Sequence, residues 1–271
     1  MPFAVSAGGV RIHYEIVLPK SGVAKRDVVL IQGLGLSSRF WFDQSELLSD
    51  DSRVILLDNR GTGQSDRPRG PYRLPAMADD VAAVMDACAV KSAIVVGISM
   101  GGMIAQHVAM RYPKRVSGLV LMATAPGHPW SILPKMSTIA TLLSAPLQRG
   151  KTSRRYNRLL LPECELDRAN EHLARWPAAL EIDPISTKTF LRQFFGVMTN
   201  WTGGRHAHIE CPAVVITGAD DILIPPENSA RLAKRIPRSH LQILPDVAHA
   251  VPLLRPNVVR GALEKLEEMG A

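Results

Sequence analysis

Residues 92–102 of the chain read SAIVVGISMGG, an apolar run that passes through Gly97-Ile98-Ser99-Met100-Gly101 into a helical pattern. A continuous β-branched run predicts a strand buried on both faces, and the spacing of apolar residues over 100–111 predicts a helix directly after it. A serine at this junction needs a sharp turn with small residues two positions to either side. The stretch therefore predicts Ser99 as a nucleophile beside a helix N-terminus, whose dipole favours an anionic intermediate.

Similar short apolar runs alternate with helical patterns in both directions from this stretch. The predicted buried strands cover residues 27–31, 53–57, 92–96, 116–122, 212–217 and 241–244, and residues 11–17 alternate as expected for an exposed, antiparallel first strand. Helical patterns cover residues 76–88, 100–111, 227–235 and 258–269. Strands that alternate with helices predict an α/β protein with a mostly parallel sheet covered by helices on both faces.

The alternation stops between residues 125 and 205. This segment contains several prolines and helical patterns at 136–143 and 168–176 but few β-branched runs. We therefore predict a core formed by residues 1–124 and 206–271, interrupted by a helical insertion over 125–205. The insertion carries 11 basic and 6 acidic residues, and five of the basic ones crowd together at Arg149, Lys151, Arg154, Arg155 and Arg158.

The composition is that of a globular protein with a real core. Of 271 residues, 46% are hydrophobic and 21% are charged, which argues against general disorder. Three distant cysteines predict no disulfide framework. We expect a cytoplasmic protein, because no signal peptide and no apolar run of about 20 residues is seen. The net charge is +7, and the basic cluster has no aromatic residue beyond Tyr156 that could stack on a base, which argues against nucleic-acid binding. A solvated basic face is favoured, with an anionic substrate or a membrane surface as the alternatives.

A serine hydroxyl needs a general base, and the base needs an acid that orients it. Residues 218–221 read Gly-Ala-Asp-Asp directly after one predicted strand, and His249 follows the next. Either Asp220 or Asp221 could orient His249, because the carboxyl ends of parallel strands meet at one edge of a sheet. His206 and His208 with Glu210 could offer three metal ligands, but no fourth is in view, so we predict no metal and no cofactor.

Four motifs in this order resemble the α/β-hydrolase family. They are Gln32-Gly33-Leu34-Gly35, the stretch DNRGTGQS at 58–65, the turn GISMG at 97–101, and Gly218-x-x-Asp221-x-x-x-Pro225 followed by His249. The resemblance covers most of the chain outside 125–205. It implies the α/β-hydrolase fold, with an eight-stranded, mostly parallel sheet flanked by helices and with residues 125–205 as a helical cap. Asp58 and Arg60 of the second motif are expected to hold a turn.

The resemblance also implies a role for each matching residue. Ser99 would attack the acyl carbon, and His249 would serve first as general base and then as general acid. Asp221, the fourth residue of its motif, would orient His249, with Asp220 as the fallback.

Two backbone donors would complete the site. The N–H groups of Leu34 and Met100 would stabilise the oxyanion of the intermediate. Gln32 stands where the family usually has histidine, and Ala248 stands where a glycine often precedes the catalytic histidine. Neither departure removes a predicted catalytic group.

The resemblance points to a small-molecule ester or lactone as the substrate, with no nucleic-acid partner and no stable membrane insertion. Apolar residues of the insertion would shape the pocket, and Trp130 and Met136 are predicted to contact the substrate. Ester hydrolysis through an acyl-enzyme is the leading prediction. An enol-lactonase or a C–C bond hydrolase would use the same triad. Acyl transfer to an alcohol or peroxide, and a non-catalytic binding protein, are the alternatives from other classes.

Overall fold

The computed structural model describes residues 2–147 and 153–271, which include one eight-stranded sheet. The strands are β1 Phe3–Ser6, β2 Val10–Val17, β3 Arg26–Ile31, β4 Ser52–Leu57, β5 Ala93–Ile98, β6 Val116–Met122, β7 Ala213–Gly218 and β8 Ser239–Leu244, in the order β1-β2-β4-β3-β5-β6-β7-β8. The β1–β2 and β2–β4 pairs are antiparallel, whereas β4, β3, β5, β6, β7 and β8 run parallel. The prediction of an eight-stranded, mostly parallel sheet is confirmed.

Eleven α-helices occur in the same part of the chain. They are α1 Gln44–Leu48, α2 Leu74–Ala87, α3 Met100–Arg111, α4 Met136–Leu143, α5 Arg154–Leu160, α6 Ala169–His172, α7 Trp176–Ile182, α8 Thr187–Met198, α9 Glu227–Ala233, α10 Val251–Leu254 and α11 Val258–Glu268. Helices α2 and α3 join one apolar core and α11 joins another, so side chains of β3 and β5 pack on both sides of the sheet. None of these helices combines the length and apolar character needed to cross a membrane.

The two ends of the sheet differ from the sequence prediction. The first strand, β1, was not predicted, because four residues are too few for a periodic signal. Its pairing places β2 inside the sheet, so the strand predicted to be exposed is half-buried. The final strand, β8, was predicted to be buried on both faces. It is the edge strand, and all six of its residues are exposed or partly exposed, with Gln242 and Ile243 among the exposed ones.

The segment between β6 and β7 is helical, and it contains α4 to α8. The predicted helix at 168–176 is instead divided into a 3₁₀ helix at Glu163–Arg168 and the short α6. Pro177 lies at the start of α7, where the missing N–H of proline costs no helical hydrogen bond. The division into a core and a cap, with boundaries at 125 and 205, remains a prediction.

Two buried histidines connect the C-terminal end of this segment to α3, the helix that follows Ser99. His206 Nε2 donates to Gln106 Oε1 at 2.9 Å, and Gln106 Nε2 donates to the carbonyl oxygen of Ala125 at 3.1 Å. His107 Nε2 donates to Asn200 Oδ1 at 2.8 Å. Both ends of the inserted segment therefore hydrogen-bond to side chains of one core helix.

These contacts predict that acid loosens the fold. Burial is the main cause that lowers the pKa of His206 to about 4, with Arg235 and the neighbouring His107 acting in the same direction. Burial also lowers the pKa of His107. As the pH falls through the unfolded-state pKa of 6.5, His206 becomes protonated in the unfolded chain but stays neutral in the folded one. The free energy of unfolding therefore decreases. His206 alone should cost about 2 kcal/mol of unfolding free energy between pH 7 and pH 5.

Urea unfolding at pH 7 and pH 5 measures this difference. His206→Gln is the comparison variant, because an amide keeps a donor near Gln106 and does not titrate. The variant should show a smaller loss of stability on acidification than the parent protein. An equal loss in the two proteins would contradict the role assigned to His206.

Candidate active site

Ser99 sits at the strained junction between β5 and α3. Its backbone has φ 56° and ψ −121°, a conformation that non-glycine residues seldom adopt. The turn is held because Ser99 N–H donates to Met122 O at 2.9 Å and Thr124 Oγ1 donates to Ser99 O at 2.7 Å. The Ser99 hydroxyl itself has no hydrogen-bond partner within the described residues. The structure thus presents this oxygen without using it to hold the fold.

The glycines on either side permit this turn. A Cβ atom on Gly97 would collide with the carbonyl oxygen of Gly101, and one on Gly101 would collide with the carbonyl oxygen of Ile31. Backbone atoms cannot move aside as the end of a flexible side chain can. The sequence requirement for small residues around Ser99 therefore reflects contacts of α3 with β5 and β3.

Asp221 and His249 lie together at the carboxyl ends of β7 and β8. His249 Nδ1 and Asp221 Oδ2 are 2.8 Å apart, and both side chains are buried. The other carboxylate oxygen accepts from Leu223 N–H at 2.9 Å and Ile224 N–H at 2.8 Å. Since the carboxylate can only accept in its ionised form, Nδ1 carries the proton and Nε2 is left as the basic nitrogen.

The structure distinguishes the two candidate aspartates. Asp220 is exposed, whereas Asp221 is 3% exposed and binds the histidine. Gly218 is needed because a Cβ atom there would collide with the carbonyl oxygen of Val247, in the loop that carries His249. Ala248 is fully buried, so its methyl group is accommodated at the position where a glycine was expected.

The loop after β3 lies directly against the nucleophile. A Cβ atom on Gly33 would be 3.4 Å from Ser99 Cβ. Gln32 folds back so that its Oε1 accepts from Gly33 N–H at 2.7 Å, and its carbonyl oxygen accepts from Asn59 Nδ2 at 2.9 Å. No acceptor in ranges 2–147 and 153–271 binds the N–H groups of Leu34 or Met100. Both predicted oxyanion donors are therefore unoccupied beside Ser99.

Gln193 of α8, which no sequence motif indicates, connects this loop to the segment between β6 and β7. Its Oε1 accepts from Gly35 N–H at 2.8 Å and its Nε2 donates to Arg60 O at 3.0 Å, with the side chain fully buried. Gly35 adopts φ 77°, so the loop turns sharply at the atom that Gln193 holds. The one available sequence signal was a glutamine among the apolar residues of α8.

We expect Gln193→Met to lower kcat by about 10- to 100-fold, less than the loss of a whole oxyanion donor. Methionine keeps the side-chain volume but no longer accepts a hydrogen bond from Gly35 N–H. The loop can then shift, and the N–H group of Leu34 would no longer point toward the oxyanion. Ester kinetics give kcat and KM separately, and a boronate inhibitor reports binding of a tetrahedral adduct. Arg192→Met is the control on the same helix, since it cuts the contact to Pro68 O and not the loop.

The site opens into a cavity of about 600 Å³. Ser99, His249, Leu34 and Met100 all line it, whereas Asp221 lies behind His249. The wall is largely apolar, and much of it comes from the inserted segment, including Ile132, Leu133, Ile139, Leu142, Leu160, Trp176, Phe190, Phe194 and Val197. Ser99, His249 and both predicted oxyanion donors thus border the same largely apolar cavity.

Ser99 and His249 share the cavity but are not hydrogen-bonded to each other. The hydrogen bond between Asp221 and His249 is present. The predicted triad needs one more, between His249 Nε2 and the Ser99 hydroxyl. Such contacts are commonly long without substrate and shorten when it binds.

Trp130 and Met136, which were predicted to contact the substrate, lie outside the cavity wall. Met136 is 77% exposed, and Trp130 is 38% exposed with its ring under the guanidinium of Arg235 at 4.0 Å. Neither residue lines the cavity, so these two predictions are corrected. Apolar spacing identified the right segment but not the side of it that faces inward, because the chain from Trp130 to Pro134 is not helical.

The turn expected at Asp58 and Arg60 is present. Asp58 accepts from the N–H of Ser38 at 2.8 Å, from that of Gln64 at 3.0 Å, and contacts His13 Nδ1 at 2.9 Å. Arg60 makes two contacts of 2.7 Å with Asp80. Both side chains therefore hold the turn beside the oxyanion loop.

The remaining candidate groups are accounted for by local contacts. His206 is buried against Gln106, and the described residues include no cluster of three or more His, Cys, Asp or Glu that could hold a metal. Arg154 pairs with Glu163 and Asp167, and Arg158 pairs with Glu163. Arg155 Nε donates to Thr141 Oγ1. Arg149 and Lys151 of the basic cluster lie outside the described residues.

The sequence of the chain matches a known protein family. A family model for the alpha/beta hydrolase fold matches residues 28–256. The chain is 30% identical over 258 residues to a putative carbamate hydrolase, RutD, of Agrobacterium fabrum, covering 91% of this chain and 94% of that protein. It is 30% identical over 239 residues to a poly(3-hydroxyalkanoate) depolymerase of Ectopseudomonas oleovorans, covering 88% and 83% of the two chains.

The fold is shared with solved structures. The crystal structure of the enol-lactonase from Burkholderia xenovorans LB400 superimposes with a TM-score of 0.81 at 24% identity, covering 98% of this chain and all of that one. Identity at this level shows a common architecture and leaves the substrate open.

Proposed function

The chain belongs to the α/β-hydrolase family, and from that premise we propose that it is a serine hydrolase that cleaves carboxylic esters through an acyl-enzyme. Ser99, His249 and Asp221 are its proposed catalytic triad. The observation that carries the proposal is the 2.8 Å contact between Asp221 and His249 Nδ1, which leaves Nε2 as a base in the cavity that Ser99 also lines. A binding protein without catalysis would have no need for this pairing beside a strained serine.

The proposed reaction has two halves. His249 Nε2 takes the proton of the Ser99 hydroxyl while the oxygen attacks the ester carbonyl, and the N–H groups of Leu34 and Met100 bind the resulting oxyanion. The intermediate collapses, and His249 returns its proton to the departing alkoxide. Water then attacks the acyl-enzyme with His249 again as base, which releases a carboxylic acid and restores Ser99.

The cavity supports an apolar ester as the substrate. Its volume of about 600 Å³ lies within the range of pockets that bury a whole small molecule, and most of its wall is aliphatic or aromatic. We propose that residues 125–205 act as the cap that closes this chamber and excludes water from the acyl-enzyme. The same surroundings favour an apolar ester over a small, charged carbamate.

The test combines a fluorophosphonate probe with an ester panel of increasing acyl length. Peptide mapping should find the probe on Ser99, and p-nitrophenyl esters should be hydrolysed with a preference set by acyl length. Labelling at Ser99 together with inertness to all simple esters would favour an enol-lactonase or a C–C bond hydrolase on the same triad. Absence of labelling in the folded protein would overturn the proposed nucleophile.

A further inference from the structure

Most polar side chains in the cavity wall are already paired with protein atoms. His128 Nε2 donates to Met198 O at 3.1 Å, and Gln44 Nε2 donates to Pro256 O at 2.9 Å. Arg175 forms an ion pair with Asp43 at 2.6 Å. These groups have partners with or without a ligand, so the ligand must be recognised mainly by the groups that are left.

Several donor groups of the cavity wall outside the proposed triad have no protein acceptor among the described residues. The indole N–H groups of Trp41 and Trp176 and the amide NH₂ of Asn200 belong to this set, but these atoms are fully enclosed by protein. The amide NH₂ of Gln32, the hydroxyl of Ser131 and the hydroxyl of Tyr156 are not enclosed in this way, so a ligand can reach them. Gln32 directly precedes Gly33, the residue that packs against Ser99, so its amide belongs with the proposed catalytic groups. Tyr156 differs from the other two because it packs against an apolar cluster that includes Phe40 and Trp176.

The Tyr156 hydroxyl is a neutral donor in an apolar setting. It comes from α5 in the inserted segment and lines the same cavity as Ser99. Burial raises the pKa of Tyr156 to about 12, so the phenol keeps its proton over the whole working range of a hydrolase. A phenylalanine would fill the same space without a polar atom, whereas the hydroxyl of this partly buried side chain has no acceptor among the described residues and can gain one from a ligand.

We propose that the Tyr156 hydroxyl donates a hydrogen bond to a second oxygen of the substrate, distinct from the oxygen of the scissile carbonyl. The substrate class is then an ester whose otherwise apolar chain carries an additional ether, hydroxyl or carbonyl oxygen. This inference rests on the proposed function, because it concerns the substrate of the same cavity. A site built to bind such an oxygen discriminates against the hydrocarbon analogue, which leaves the donor buried and unpaired.

The test compares pairs of esters that differ by one atom. In each pair, a methylene of the acyl chain, or of the alcohol, is replaced by an ether oxygen at successive positions. The wild-type protein should prefer the oxygen-containing ester at one position by about tenfold in kcat/KM. In Tyr156→Phe the ratio between the two esters of that pair should fall to about one.

Tyr72→Phe is the matched control. Tyr72 is fully buried, its hydroxyl donates to Pro68 O at 3.1 Å, and it lies outside the cavity wall. This variant should lose unfolding free energy and keep the substrate ratio. Tyr156→Phe should instead keep or gain unfolding free energy, because the hydroxyl it removes has no partner in the fold.

Three results would overturn the inference. They are a wild-type protein indifferent to oxygen at every position, a ratio that persists in Tyr156→Phe, and a loss of unfolding free energy in Tyr156→Phe equal to that of Tyr72→Phe. Each can occur while hydrocarbon esters are still hydrolysed and Ser99 is still labelled. Failure of this inference is therefore distinguishable from failure of the proposed function.

Discussion

Ser99→Ala is expected to lower kcat/KM for p-nitrophenyl butyrate by about 10⁴- to 10⁶-fold while the protein stays folded. The proposed acyl-enzyme cannot form without the hydroxyl, and the residual rate would come from the oxyanion donors and from binding alone. Stability should change little, because the hydroxyl has no partner in the described structure and alanine meets the same restriction at φ 56°. Ester kinetics and thermal unfolding of the same preparation measure the two effects.

Ser131→Ala is the matched control for this prediction. Ser131 also lines the cavity, but the proposed mechanism gives it no part in the reaction. We expect its effect on kcat to be severalfold at most. Ester hydrolysis that survives in Ser99→Ala would show that another group performs the attack, and the assignment of the nucleophile would be wrong.

Asp221→Asn is expected to lower kcat by about 10⁴-fold. The asparagine oxygen can still accept from Leu223 and Ile224 N–H, as Asp221 Oδ1 does at 2.9 and 2.8 Å. Its NH₂ group would then face His249 Nδ1, which could no longer carry a proton. The proton would move to Nε2, and the histidine could not accept one from Ser99.

Asp220→Asn provides the comparison, since the two aspartates are neighbours in sequence and differ in surroundings. Asp220 is exposed, and the carboxylate bound to His249 is that of Asp221, so the Asp220 variant should retain activity within about threefold. A tenfold or greater loss in Asp220→Asn together with an active Asp221→Asn would reverse the assignment. Kinetics over a range of pH, with circular dichroism as a check of folding, would record either outcome.

Motif order alone predicted much of the proposed site. The Gly-x-Ser-x-Gly stretch, an acidic pair after one strand and a histidine after the next are local patterns. Parallel strands bring their carboxyl ends to one edge of the sheet, so chain order translates directly into proximity. Chain order alone left both Asp220 and Asp221 open, and it was the Gly-x-x-Asp spacing shared with the family that favoured Asp221.

Two residues of interest were invisible to sequence reasoning for a different reason. Gln193 contacts Gly35 across 158 positions of chain, and no local pattern records such a pairing. Tyr156 lies within a basic cluster that suggested a solvated face, yet its ring faces the cavity. Each depends on how the inserted helices pack on the core, and short helices broken by prolines carry little periodic signal.

The sequence by itself determined the mostly parallel sheet, the turn at Ser99 and the membership of a hydrolase family, because these follow from strand periodicity, glycine placement and motif order. Only the tertiary structure showed that Asp221, and not Asp220, is hydrogen-bonded to His249, that Gln193 binds the loop after β3, and that Trp130 and Met136 do not line the cavity. The physical reason is the separation of the interacting residues along the chain. Local backbone preferences depend on neighbouring residues, whereas burial and long-range hydrogen bonds arise only when distant segments pack together.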